Sequence, residues 1–164
     1  MNRHLGVLTL MAALAACSGP APAPAPATIT PKLRDLAKVD ACTLLVQSDF
    51  AKPFTKAPEP LNSPLSCRWT TEDNSVWMSI ENESLEEAKS RVNDGSELPV
   101  EGRKAWWGVT SDYQAEPQTS TGVVVTELEA GKVLVVSAER TPPRYDIGSV
   151  ARTRTVAILQ KLVS

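Results

Sequence analysis

The spacing of apolar and polar residues changes several times along this chain, and each change predicts a different element. Leu5 to Leu14 are almost wholly apolar, a run of about ten residues where a bilayer-crossing helix needs about 20. Pro20 to Pro26 then alternate with alanine and show no amphipathic period. Asp40 stands before Ala41-Cys42-Thr43-Leu44-Leu45 as a helix cap, which predicts a short helix through about Ala51, stopped by Pro53. Leu65–Thr71 and Val76–Glu81 alternate around Glu72-Asp73-Asn74-Ser75, the pattern of a hairpin with Val76, Met78 and Ile80 on one face. Ser84-Leu85-Glu86-Glu87 is a capping box. The helix it starts aligns Leu85, Ala88 and Val92, pairs Glu87 with Arg91 and ends at Gly95. Ala105–Val109 reads as a short strand entered from a loop at Gly102. Val123–Glu129 and Lys132–Ala138 form a β-branched hairpin across Ala130-Gly131. After an Arg140–Asp146 loop, Asp146 caps a last helix with Ile147, Val150, Ala151, Ile158 and Leu162 at helical spacing. Hairpins require antiparallel pairing, and one-sided helices must bury their apolar stripe. The expected fold is therefore α+β: an antiparallel sheet of about four to five strands with amphipathic helices packed on it.

Composition narrows the partners. The chain has 164 residues, 42% hydrophobic and 22% charged, enough for one ordinary domain. Its formal net charge is -2, and 17 basic residues, Arg3 among them, face 19 acidic ones. Nucleic acid is not an expected partner, because phosphate binding needs clustered Lys and Arg.

The N-terminus sets the compartment. A weakly basic start, the apolar run and the small residues Leu14-Ala15-Ala16-Cys17-Ser18 follow the order of a secretory signal. Ending on cysteine, the site resembles the lipobox of bacterial lipoproteins; an ordinary signal with a chance cysteine is the alternative. The resemblance implies that residues 1–16 are removed and that Cys17 is acylated. It also implies a protein outside the cytoplasm, lipid-anchored to the cell membrane, or to the outer membrane in a Gram-negative cell. Residues 17–35 then form a Pro/Ala-rich tether, in which proline fixes φ and removes donors. As a polyproline spacer its fifteen or so residues reach up to about 45 Å. Residues 36–164 form the single globular domain. With Cys17 acylated, Cys42 and Cys67 are the remaining cysteines. Two leftover thiols in an oxidising compartment are expected to pair, here tying the first helix to the first hairpin. The chain-entropy contribution of that crosslink is roughly 3.5 kcal/mol.

Asp40-Ala41-Cys42-Thr43-Leu44-Leu45 followed by Cys67-Arg68-Trp69 resembles the signature of the DUF3558 family of actinobacterial lipoproteins. Ala41 replaces the proline usual there, and Val46-Gln47 a Thr-Pro. The resemblance implies a secreted, disulfide-closed, lipid-tethered domain and no particular activity.

Candidate chemistry is sparse. His4, the single histidine, lies in the signal, which leaves the mature chain without the usual general base and zinc ligand. No phosphate loop, nucleophile motif or calcium loop is recognisable, so neither a metal nor a cofactor is expected. A glycan hydrolase would have to use paired carboxylates drawn from Asp73, Glu81, Asp112, Glu116 and Glu127. The favoured reading is a non-catalytic binding domain for an envelope protein or a small anionic ligand. Its expected patch joins Arg103, Lys104, Trp106 and Trp107 to Arg140, Arg144 and Tyr145, since exposed aromatics beside arginine make binding hot spots. Adjacent strand residues point to opposite faces. One tryptophan would face outward, or both would pack internally.

Overall fold

A computed structural model describes residues 31–63, 65–92, 94–112, 118–144 and 146–163, so the signal, Cys17, the tether as far as residue 30, and Tyr145 lie outside the described residues. Seven strands form one sheet: β1 (Glu59–Pro60), β2 (Ser66–Thr70), β3 (Asn74–Glu81), β4 (Ser96–Glu97), β5 (Ala105–Asp112), β6 (Thr119–Glu129) and β7 (Lys132–Arg140). Their order is β1-β2-β3-β7-β6-β5-β4, antiparallel throughout. The α+β class holds, but seven strands replace the expected four to five. The two additions, β1 and β4, are two-residue edge strands, too short for any alternation to reveal.

Both hairpins form as their patterns require. Thr71 Oγ1 donates to the Asn74 carbonyl and accepts from its N–H, closing the β2–β3 turn. The β6–β7 turn falls at Ala130-Gly131. Val76, Met78 and Ile80 are buried on one face. There they meet Leu134, Val136, Ala138 and Val124 beneath α2 (Ile147–Leu162). Gly122 lets the start of α2 come close: a Cβ there would lie 2.7 Å from the Ile147 carbonyl oxygen. The opposite face is partly covered by α1 (Leu85–Lys89), whose Leu85 and Ala88 pack on Val125 and Val133.

Four local expectations are corrected. The segment after Asp40 is two 3-10 turns, Ala41–Thr43 and Gln47–Asp49, not one helix. Asp40 does cap, accepting from Cys42 N–H at 2.9 Å, but Val46 is extended and gives its N–H to the Asp49 carboxylate instead of a helical carbonyl. Helix α1 stops at Lys89, well before Gly95; the Ser90 hydroxyl donates back to the Glu87 carbonyl, competing with the backbone ladder. Glu87 does not pair with Arg91, because its carboxylate accepts from both the N–H and the hydroxyl of Ser84. Arg91 turns to Glu81 and Glu83. Asp146 provides no side-chain cap for α2; its carboxylate lies 3.8 Å from Arg140.

Cys42 and Cys67, separated by 25 positions, form a disulfide with Cα atoms 5.2 Å apart. The domain engages the chain ahead of residue 36. Leu33 bridges to Val163, and Arg34 N–H donates to the Leu162 carbonyl at 2.8 Å.

Candidate functional site

The anticipated basic-aromatic patch does not assemble. Arg103 is only 5% exposed. It donates to the Leu128 carbonyl at 2.7 Å and to the Pro31 carbonyl at 2.9 Å, which makes it a clasp between the β6–β7 hairpin and the incoming chain. Lys104 remains exposed. Trp106 and Trp107 do point to opposite faces, yet each is half-buried. Trp106 lies against Gly95 with Lys89 4.9 Å over its ring, and its indole N–H is buried without a partner. Trp107 packs on the other face, next to Gly148 of α2. Arg140 is held between Asp73 and Asp146 at 3.8 Å from each. Arg144 is exposed, its backbone N–H donating to Ser120 Oγ.

Register fixes the separation of the two basic clusters. Ala105 lies opposite Thr126, and Ser111, opposite Ser120, is in line with Arg140. The clusters are thus about six residue steps apart along the strands, roughly 20 Å. The cation cluster that pointed to an anionic ligand is split between the two ends of the sheet.

Of the acidic candidates, Glu116 and the side chain of Asp112 lie outside what is described. Asp73 shares Arg140 with Asp146, and Glu81 lies beside Glu83, a residue absent from the expected set. Arg91 bridges both carboxylates, and Ser79 donates to Glu81. Burial raises both acids; at Glu81 the Ser79 hydroxyl and Arg91 outweigh it and the carboxyl titrates low. At Glu83 burial prevails, reinforced by the adjoining Glu81 carboxylate, and it titrates high. A shared guanidinium makes this a neutralised surface cluster rather than two carboxylates facing across a substrate gap. Two clefts of about 510 Å³ and 470 Å³ flank the incoming segment around Arg34 and Asp35. Their acids have partners as well: Asp35 pairs with Lys38, Glu129 with Lys132, and Asp40 accepts from the Cys42 N–H.

A different surface emerges from strand parity. With Val76 and Met78 inward, Ser75, Trp77 and Ser79 must occupy the other face of β3. The register continues that face across the sheet. Trp77 lies opposite Arg68 on β2 and Ser137 on β7, and Ser137 is followed by Val123 and Gly108. The adjoining row runs Thr70, Ser75, Glu139, Thr121. α1 packs on Val125 and Val133, and its cluster reaches Val123 and Val135 but not Trp77, Arg68 or Ser75, which form a shelf beside it. On the shelf Trp77 is half-buried, and the exposed Arg68 guanidinium sits 5.9 Å from its ring centroid. The Trp77 indole N–H is not buried and has no partner among the described residues. The hydroxyls of Thr70, Ser75 and Thr121, all half-buried, likewise have no side-chain hydrogen bond among the described residues, whereas Ser137 is buried. The signal was present in the sequence: an inward triplet at 76, 78 and 80 assigns Trp77 to the outer face.

No family model matches the chain, and no curated protein does. Among solved structures, a crystal structure from Bacteroides thetaiotaomicron is similar at 7% identity with a TM-score of 0.45, covering 58% of this chain and 39% of that one. Among the described residues no helix is long and apolar enough to cross a membrane, and no group of three potential metal-ligating side chains occurs.

Proposed function

We propose that the chain is a lipid-tethered envelope protein of the DUF3558 kind, and that its domain binds rather than reacts, through the sheet face around Trp77. One observation carries the binding surface: a half-buried tryptophan and a set of unpartnered polar groups share the part of the sheet outside the cluster under α1. Polar groups that convergent secondary structure holds in place, unused by the protein itself, are available to a ligand without rearrangement. The tether reading rests on the order of basic start, apolar run and Ala16-Cys17. Stable attachment needs more than one acyl chain, which a modified Cys17 supplies. Cys17→Ala releases the protein from the membrane fraction or stalls its processing; normal cleavage with undiminished membrane association overturns the anchor. For the surface, a photoreactive side chain at position 77 crosslinks a defined envelope component in intact cells. Trp77→Ala lowers recovery of that component at least about fivefold while the melting temperature stays within a few degrees, as for most surface changes. Full recovery from Trp77→Ala removes this face from consideration.

A further inference from the structure

We infer that the ligand of the Trp77 face is a neutral, hydroxyl-rich chain, an uncharged glycan, an assignment that rests on the binding role just given to that face. Charge is the first argument. Arg68 and Glu139 are its central ionic groups, one of each sign, and Glu59, opposite Arg68, is already engaged by Lys56 at 2.7 Å. A polyanion would meet Glu139, and a polycation would meet Arg68, so neither finds a complementary field.

Hydrogen-bonding capacity is the second. The unpartnered groups mix a pure donor, the Trp77 N–H, with hydroxyls at 70, 75 and 121 that both donate and accept. Sugar hydroxyls have the same dual character, and a pyranose also presents a flat apolar C–H surface suited to an indole. Shape is the third. The row Trp77, Ser137, Val123, Gly108 sets one large ring beside three much smaller residues, a low floor next to an indole along which an extended chain can lie. A protein partner fits less well, because interface cores are apolar. Among the described residues, Val46 is the one large hydrophobic classed as exposed, and it is on the 3-10 segment, not on this face.

The test uses the full mature chain purified in detergent and follows the indole N–H resonances of its four tryptophans by NMR, with Trp77→Phe assigning the relevant peak. The probes are neutral hexasaccharides of glucose and of N-acetylglucosamine, with polygalacturonate and oligolysine as charged counterparts. The expected result is a saturable shift of the Trp77 peak with at least one neutral hexasaccharide, unchanged between low and high salt. Ser75→Ala weakens it severalfold, and Trp77→Ala, which lacks the reporter peak and is followed by isothermal titration calorimetry, abolishes measurable binding. Trp77→Phe keeps an aromatic ring and loses only the N–H donor, so in the same calorimetry it binds at intermediate strength and guards against misfolding of the alanine variant. No shift with either sugar, or a shift confined to a charged polymer and lost in salt, overturns the assignment. If the sugars fail while crosslinks from position 77 still recover one defined protein, the ligand class falls and the binding face stands. Failure of both removes the face.

Discussion

Arg103 shows at the scale of one residue how the same side chain changes meaning once its partners are known. In sequence it stands beside Lys104, Trp106 and Trp107 and looks like surface; its acceptors lie 25 and 72 positions away and carry no local signal. Replacing it with alanine strands two carbonyl oxygens, one of them in the buried β6–β7 hairpin, and is expected to cost about 2–3 kcal/mol in urea unfolding. Binding per unit of folded protein stays unchanged. A stability loss below the error of the melt would show that the clasp is dispensable. Gly95 was expected only to end a helix, yet it is a packing residue. A Cβ there would stand 2.1 Å from Trp106 Nε1 and 2.8 Å from the Trp107 carbonyl. The second contact is backbone and cannot swing away, so Gly95→Ala should destabilise by roughly 1–3 kcal/mol and alter the emission of Trp106.

At the scale of elements, legibility follows the length and regularity of the pattern. Strands β3, β6 and β7 and helix α2 announce themselves because several turns or alternations repeat one signal. The Ser84 capping box was legible because its chemistry is local, and Ser84→Ala is expected to cost about 1 kcal/mol. The 3-10 turns were not legible, since side chain–backbone bonds from Asp40 and Asp49 replaced a helical ladder that the apolar spacing alone suggested. Asp49 also clamps this segment to α2 through Lys161 at 3.0 Å. Burial raises its carboxyl, but the Val46 N–H and Lys161 together hold it below the ordinary carboxylate value. A depressed folded-state pKa means the unfolded chain binds the proton more readily. The clamp therefore stabilises fully above the ordinary carboxylate range, about pH 4, and is lost as pH falls through the lower folded value. The stability gap between the native chain and Asp49→Asn should narrow between pH 5 and pH 2, measured by denaturant unfolding. A gap constant across that range would show that the carboxylate is unlinked to folding.

For the molecule as a whole, the α+β class, the antiparallel sheet and the Cys42–Cys67 bond were legible; the strand count and the location of the candidate site were not. Edge strands β1 and β4 are held by two residue pairs each, below what any periodicity detects. The proposed patch failed for a related reason. Nearness in sequence was extended to nearness in space across two segments, and only the register of β5, β6 and β7 could show that they lie at opposite ends of those strands. Trp77 needed no register, only consistent use of the parity already read from β3. The disulfide, joining segments on either side of the β1 region, is expected to contribute about 3.5 kcal/mol. The double variant Cys42→Ala/Cys67→Ala should lose roughly that amount, with the far-ultraviolet spectrum of the sheet retained in buffer.

The attachment of the first described residues also has a mechanical meaning. Leu33 and Arg34 are bonded to Val163 and Leu162, and Pro31 is grasped by Arg103. A pull on the chain ahead of residue 31 therefore enters at the last turn of α2 and at the β6–β7 hairpin. Trp77 and Arg68 stand on β3 and β2, which make none of those contacts. Were the chain anchored through its N-terminus as proposed above, tension would enter at that corner, while the Trp77 face stands on strands that the incoming segment does not touch.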